Sequence, residues 1–225
     1  MSTNLFTEVL ESRTLLSASA ANIALNATVQ ADHMQIRADL LKFKSDALSN
    51  FSTMLSDINA LKSDHVKSAT TVLPLIAKFR ADLKTMRSEL KIDRLTQRQN
   101  VLADESVIVG DLKKIAVDHG NATALIADRA QLLTDRIKLQ TDMVAGLNNR
   151  VTTRQNELVT LDVDLQAIVT AAQSDPNASP KLIADLQKSV ADKTNGLNTL
   201  TADIQTLIGD RTKLIADLTA MVQPA

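Results

Sequence analysis

Residues 180 to 222, PKLIADLQKSVADKTNGLNTLTADIQTLIGDRTKLIADLTAMV, decide the fold. Aspartate recurs in them at Asp185, Asp192, Asp203, Asp210 and Asp217, in steps of seven or eleven residues. Both steps are near-whole numbers of α-helical turns, so the five carboxylates share one face of one long helix. Apolar residues keep fixed offsets from them, as with Leu207 and Ile208 before Asp210 and Leu214 and Ile215 after it. Written as heptads, Asp occupies g and the core a, d and e. A stripe that wide suits a helix touching two neighbours, which four packed helices provide and a two-stranded coil does not.

The same rhythm runs back through the chain as Asp32, Asp39, Asp46, Asp57 and Asp64, then Asp82, Asp93, Asp104, Asp111 and Asp118, then Asp128, Asp135 and Asp142, then Asp164 and Asp175. Only Asp162 of the 21 aspartates stands outside these series. The register slips by ten residues between Asp118 and Asp128, and again between Asp175 and Asp185, where helices are expected to end.

Helix-breaking residues fall at the same places. His119 and Gly120 are expected to close one helix in the left-handed manner, with Asn121 capping the next. Pro176 and Pro180 bracket a second break, with Ser179 as cap and Pro180 as first helical residue. A third break, Ser68 to Pro74, is softer, and one long helix kinked at Pro74 is the alternative to a hairpin there. The expected fold is all-α: a long, nearly straight antiparallel four-helix bundle of mixed heptad and hendecad repeat. Its helices fall at about 22–69, 72–118, 122–174 and 180–222, each roughly 70 Å long. Residues 1–21 form a separate tail, and 22–222 a single elongated domain. Local echoes such as RLTQRQNVL (94–102) and RVTTRQNEL (150–158) fit growth by duplication.

Composition limits the chemistry. No Cys or Trp and only four Phe are present, so disulfides and thiolate metal sites are excluded. Basic and acidic residues number 25 and 26, leaving no net basic field to draw nucleic acid. No apolar run is long enough to span a membrane. The five Glu include none three residues before His33, His65 or His119, which a di-metal carboxylate bundle would need. His119 is read as a helix-end cation favoured by the C-terminal dipole. Gln140, Arg154, Lys193 and Arg211 fall at seam positions, where polar side chains fix register. The aspartate stripes are expected to be solvated flanks supported by lysines three residues on, as in Asp39 and Lys42. Gly110, Gly146, Gly196 and Gly209 lie inside helices and suggest close helix approach or local flexing. No catalytic, cofactor-binding or metal-binding residues are assigned, and no cofactor is expected.

Near the amino terminus, Leu10 to Ala18 reads LESRTLLSA. This resembles the LEPR-x-LL element near the start of exported planctomycete proteins, with Leu10, Glu11, Arg13, Leu15, Leu16 and Ser17 matching and Ser12 in place of the usual Pro. The resemblance implies export to the cell surface or beyond; without it a cytoplasmic place is the default. The functional expectation is a non-enzymatic structural or interaction protein, a surface or self-assembling scaffold or spacer. Its partner is expected to be protein, either itself or another surface protein. The alternative is a peripheral lipid- or granule-surface coat in the manner of phasins, with amphipathic helices opened on a hydrophobic surface.

Overall fold

The computed structural model describes residues 20–63 and 71–222; the LESRTLLSA element and His65 lie outside them. Among the described residues there are four α-helices: α1 (Ala20–Ser63), α2 (Leu73–Val117), α3 (Ala122–Ser174) and α4 (Pro180–Val222). No strand occurs among the described residues. The chain is an all-α bundle. Helices of this length cannot rest on intrinsic propensity alone; each is stabilised by packing an apolar stripe on its neighbours.

Capping explains where the helices stop. A single 3-10 turn, Asp118–Gly120, ends α2, and Asn121 follows in extended conformation with its N–H bonded to the Asp118 carbonyl at 2.8 Å. The Asn121 side chain then accepts from the Ala124 N–H at 3.2 Å. Gly120 is therefore not left-handed, contrary to the expectation above: the 3-10 turn and the extended Asn121 reverse the chain without a positive φ. Ser179 caps α4 by accepting from the Leu182 N–H at 3.0 Å. Asp175, between α3 and α4, accepts from the Thr71 hydroxyl at 2.6 Å and the Asn177 N–H at 2.9 Å. The Thr71 and Asn177 donors hold its carboxyl below the usual carboxylate range.

The contacts gather into two compact units through which all four helices run. Among the described residues the first comprises 20–37, Asp104–Thr141 and 210–222, the second 38–63, 71–103 and Asp142–Gly209. In the second, Leu165, Ile168, Val169 and Ala172 of α3 pack on Leu182 and Leu186 of α4, with Val72 just before α2. Further along, Met86 of α2, Leu161 of α3 and Leu197 of α4 form another layer. In the first unit Ile108 and Ile115 of α2 meet Leu132 of α3. These apolar layers supply most of the stability, at about 1.5–3 kcal/mol for each fully buried large side chain.

Two of the four helical glycines mark close approach. A Cβ on Gly146 would stand 2.5 Å from the Gln97 side chain, and one on Gly196 would stand 3.0 Å from that of Asn50. Asn50 donates to the Gly196 carbonyl at 2.9 Å, and Gln97 to the Met143 carbonyl at 3.3 Å. Gly110 and Gly209 have nothing within 4 Å of the same position. Alanine at Gly110 and Gly209 is therefore expected to stabilise the fold by about 1 kcal/mol each, the helix-propensity difference. Alanine at Gly196 should gain less or lose, because Asn50 must move. Midpoints of denaturant unfolding for the three variants check this ordering.

Candidate interaction surface

Lysine and aspartate tie the helices into two antiparallel pairs. Between α1 and α4 the ion pairs are Asp32 with Lys213, Lys42 with Asp203, and Asp57 with Lys188, and in each the residue numbers add to 245. Between α2 and α3 they are Lys78 with Asp164, Asp104 with Lys138, and Lys114 with Asp128, always adding to 242. A constant sum is the signature of antiparallel neighbours held in one register. Since α3 and α4 are also antiparallel across the Pro176–Pro180 turn, α1 and α2 oppose each other as a hairpin and not as one kinked helix.

Most of these lysines also bond the aspartate four residues on. Lys42 reaches Asp46 at 2.8 Å, Lys78 reaches Asp82 at 2.8 Å, and Lys188 and Lys213 reach Asp192 and Asp217. Each of these four ammonium groups thus lies between a carboxylate of its own helix and one of the facing helix. Lys42 and Lys188 are pushed well above the usual lysine range by those hydrogen bonds. Asp46 and Asp82 are held below the usual carboxylate range, first by the lysine that bonds them.

The aspartate stripes are accordingly not the solvated flanks expected from spacing. Asp32, Asp57, Asp104, Asp111, Asp128, Asp164, Asp175 and Asp203 are buried, while the seam lysines stay about 60% exposed. Spacing gives the angle of a residue about its helix, but whether another helix covers that angle depends on the partner's register. Because the lysine ends remain in water, each pair is worth only about 0.2–1 kcal/mol. The seams choose the register; the apolar layers hold it.

One carboxylate pair lacks its lysine. Asp111 faces Asp135, and the position four before Asp135 carries Gln131, which donates to it at 2.8 Å. Burial, and next the hydrogen bond and charge of Asp135, raise the Asp111 carboxyl; Lys114 opposes this and Asp128 adds to it. A folded-state value above the unfolded value of 3.8 means the ionised form disfavours folding. That penalty is complete above the raised value and vanishes as pH falls to the unfolded one. Asp111→Asn is therefore expected to raise the thermal midpoint at pH 7.5, with the gain shrinking as the pH is lowered towards 4.

The seam-position residues singled out in the sequence are brought together in two groups. In the first unit Arg211 donates to Gln140, and burial pushes its guanidinium down to about 10. In the second unit Arg154 bonds Glu157 at 3.0 Å, and Lys193 lies 5.4 Å from the centroid of the Phe79 ring. Glu157 went unnoticed in the sequence, although its place three residues after Arg154 was the available signal. His119 is exposed in the 3-10 turn and His33 is half-buried in α1. Among the described residues no group of three or more His, Asp or Glu could hold a metal ion. Nor is any described helix long and apolar enough to cross a membrane.

The second unit also exposes a surface that the sequence reading passed over. On α1, Leu41, Leu48, Phe51, Leu55 and Ile58 are exposed, Leu48 by 71%. Their steps of seven, three and four residues place them on one flank, opposite the seam of Lys42, Asp46 and Asp57. Ser45, Ser49, Ser52 and Ser56 surround them, and no charge falls between Asp46 and Asp57. On α2, Arg80, Lys84, Arg87, Lys91, Arg94 and Arg98 follow one another in steps of four and three, all of them exposed. This basic stripe lies on the flank of α2 opposite Lys78, Asp82 and Asp93, and exposed Leu95 and Leu102 border it. A total charge of −1 conceals it, because the acids that balance it are largely held in the seams.

No family model, no curated protein and no solved structure matches this chain.

Proposed function

We propose that the chain is a non-enzymatic structural and interaction protein, a scaffold or spacer that works by binding other protein. If the resemblance of Leu10 to Ala18 reflects export, that work is done at the cell surface or outside the cell. The observation that supports this most is the exposed apolar heptad stripe of α1, Leu41, Leu48, Phe51, Leu55 and Ile58. Scattered apolar residues on a surface mean little, but Leu48, Phe51, Leu55 and Ile58, running at coiled-coil spacing beyond Lys44, are what a partner helix covers. The seams fit the same role, since they spend polar chemistry on fixing helix register and leave this flank uncovered.

Light scattering of the purified chain over a range of concentrations tests the proposal. Growth in mass that is abolished by Leu48→Ser with Phe51→Ser means that copies of the chain are partners for one another. A constant monomer mass leaves the spacer role, in which the partner is a different protein. The exposed leucines and neighbouring cations also suit the coat reading, so flotation with oil droplets is the companion measurement. Flotation of the chain with droplets overturns the scaffold reading.

A further inference from the structure

We infer that the open flank of the second unit is the docking site for an acidic amphipathic helix of another protein. This inference rests on the interaction reading and names the chemistry of the partner. In this unit α1 is joined to α4 and α2 to α3 by lysine–aspartate seams, while α3 and α4 pack on each other. The flank of α1 opposite its seam with α4 carries Leu48, Phe51, Leu55 and Ile58, the flank of α2 opposite its seam with α3 carries the six cations, and both are exposed. The two helices thus present an apolar stripe and a basic stripe that no other helix of the unit covers.

A single helix laid along them meets both stripes if its own surface is apolar towards α1 and acidic towards α2. The spacing is that of a helix. Arg80 to Arg98 spans about 27 Å at 1.5 Å per residue, with a cation every ~5.4 Å. Carboxylates placed three and four residues apart on a facing helix recur at the same interval, as heptad charges do between paired helices. The protein already joins its own helices by cations meeting carboxylates, and the α2 stripe is the basic half of such a seam with its acidic half missing. Lining up six like charges opposes helix stability by about 0.2–0.5 kcal/mol for each neighbouring pair. An acidic partner converts that repulsion into attraction. A second copy of this chain is a poorer occupant, because most of its own acid stripes are engaged in the seams.

The test uses the full chain and a fluorescent synthetic peptide long enough to span Arg80 to Arg98. The peptide carries Glu at alternating steps of three and four and Leu on the adjoining face. Saturable binding is expected, weakening as salt rises. Arg87→Glu with Arg94→Glu should weaken it at least ~10-fold, and Leu48→Ser with Phe51→Ser comparably. Arg87→Lys with Arg94→Lys should largely retain it. All these side chains are exposed, so circular dichroism should be unchanged, and the thermal midpoint should not fall, because reversing two of the six like charges relieves their repulsion; a loss of binding without a loss of fold is the supporting result. Equal binding of a peptide with the same residues in scrambled order overturns the inference. So does failure to bind the peptide when anionic phosphatidylglycerol vesicles or duplex DNA bind, or a dimer mass showing that a second copy covers the flank. Growth in mass of the chain alone, with no peptide bound, would leave the scaffold reading standing while removing this one.

Discussion

Glu157→Ala is expected to cost the fold about 3–5 kcal/mol, the loss found when one partner of a buried ion pair is removed. Glu157 is 7% exposed and is bonded by Arg154 at 3.0 Å. It is also the one acid that raises Lys193, whose ammonium is pulled down by burial first and by the charges of Arg87 and Arg154 besides. Taking the carboxylate away leaves Arg154 and Lys193 close together with no counter-charge, and Phe79 compensates only one of them. The sign of the pH response follows from Lys193. A lysine depressed below its ordinary 10.5 in the folded state favours folding once it is neutral. The variant should therefore regain part of its lost stability as pH rises from 7 towards 9.5, measured by urea unfolding. Glu157→Gln, which keeps the shape and an acceptor for Arg154, should lose less. A cost under about 1 kcal/mol for the alanine variant would mean that both cations reach water, contrary to the burial that depresses them.

That cluster shows what the sequence could and could not disclose. Arg154 and Lys193 were recognisable as polar residues on an apolar stripe, because a stripe is a matter of angle and angle follows from spacing. Arg154 and Glu157 share α3 three residues apart, but their meeting with Lys193 depends on the offset between α3 and α4. The aspartate series behaved likewise. Their common face was legible, and so were the helix ends, where Asn121 and Ser179 offer oxygens to the first free N–H groups. Their depth was not, because burial of Asp164 requires Lys78 to come alongside from α2. Spacing sets a lysine three residues after many of the acids, whereas Lys42, Lys78 and Lys188 bond the acid four residues on and reach a facing helix too. The basic stripe of α2 was open to inspection at steps of three and four, but a net charge summed over the whole chain cancels any local row of one sign.

Leu161→Ala is expected to cost about 2–5 kcal/mol, the range for deleting a buried leucine side chain and leaving part of the cavity empty. Leu161 is 1% exposed and packs between Met86 of α2 and Leu197 of α4, with Phe79, Leu83 and Leu158 around it. Three helices meet there, so relaxation of one alone cannot fill the space, which argues for the upper part of the range. Leu161 stands one helical turn beyond Glu157 on α3, and a double variant should depart from additivity because both line the same inter-helix space. Leu48→Ala supplies the contrast. Its side chain is 71% exposed, so truncation should change stability by no more than about 0.5 kcal/mol. The two leucines belong to the same residue type and the same unit, and differ in whether a helix lies over them. Should Leu48→Ala instead unfold the chain as Leu161→Ala does, the α1 flank would already be covered within the molecule and could not be the place where a partner docks. Denaturant midpoints of the two variants, measured side by side, separate these cases, because only a residue that the fold does not use can be kept apolar for something else.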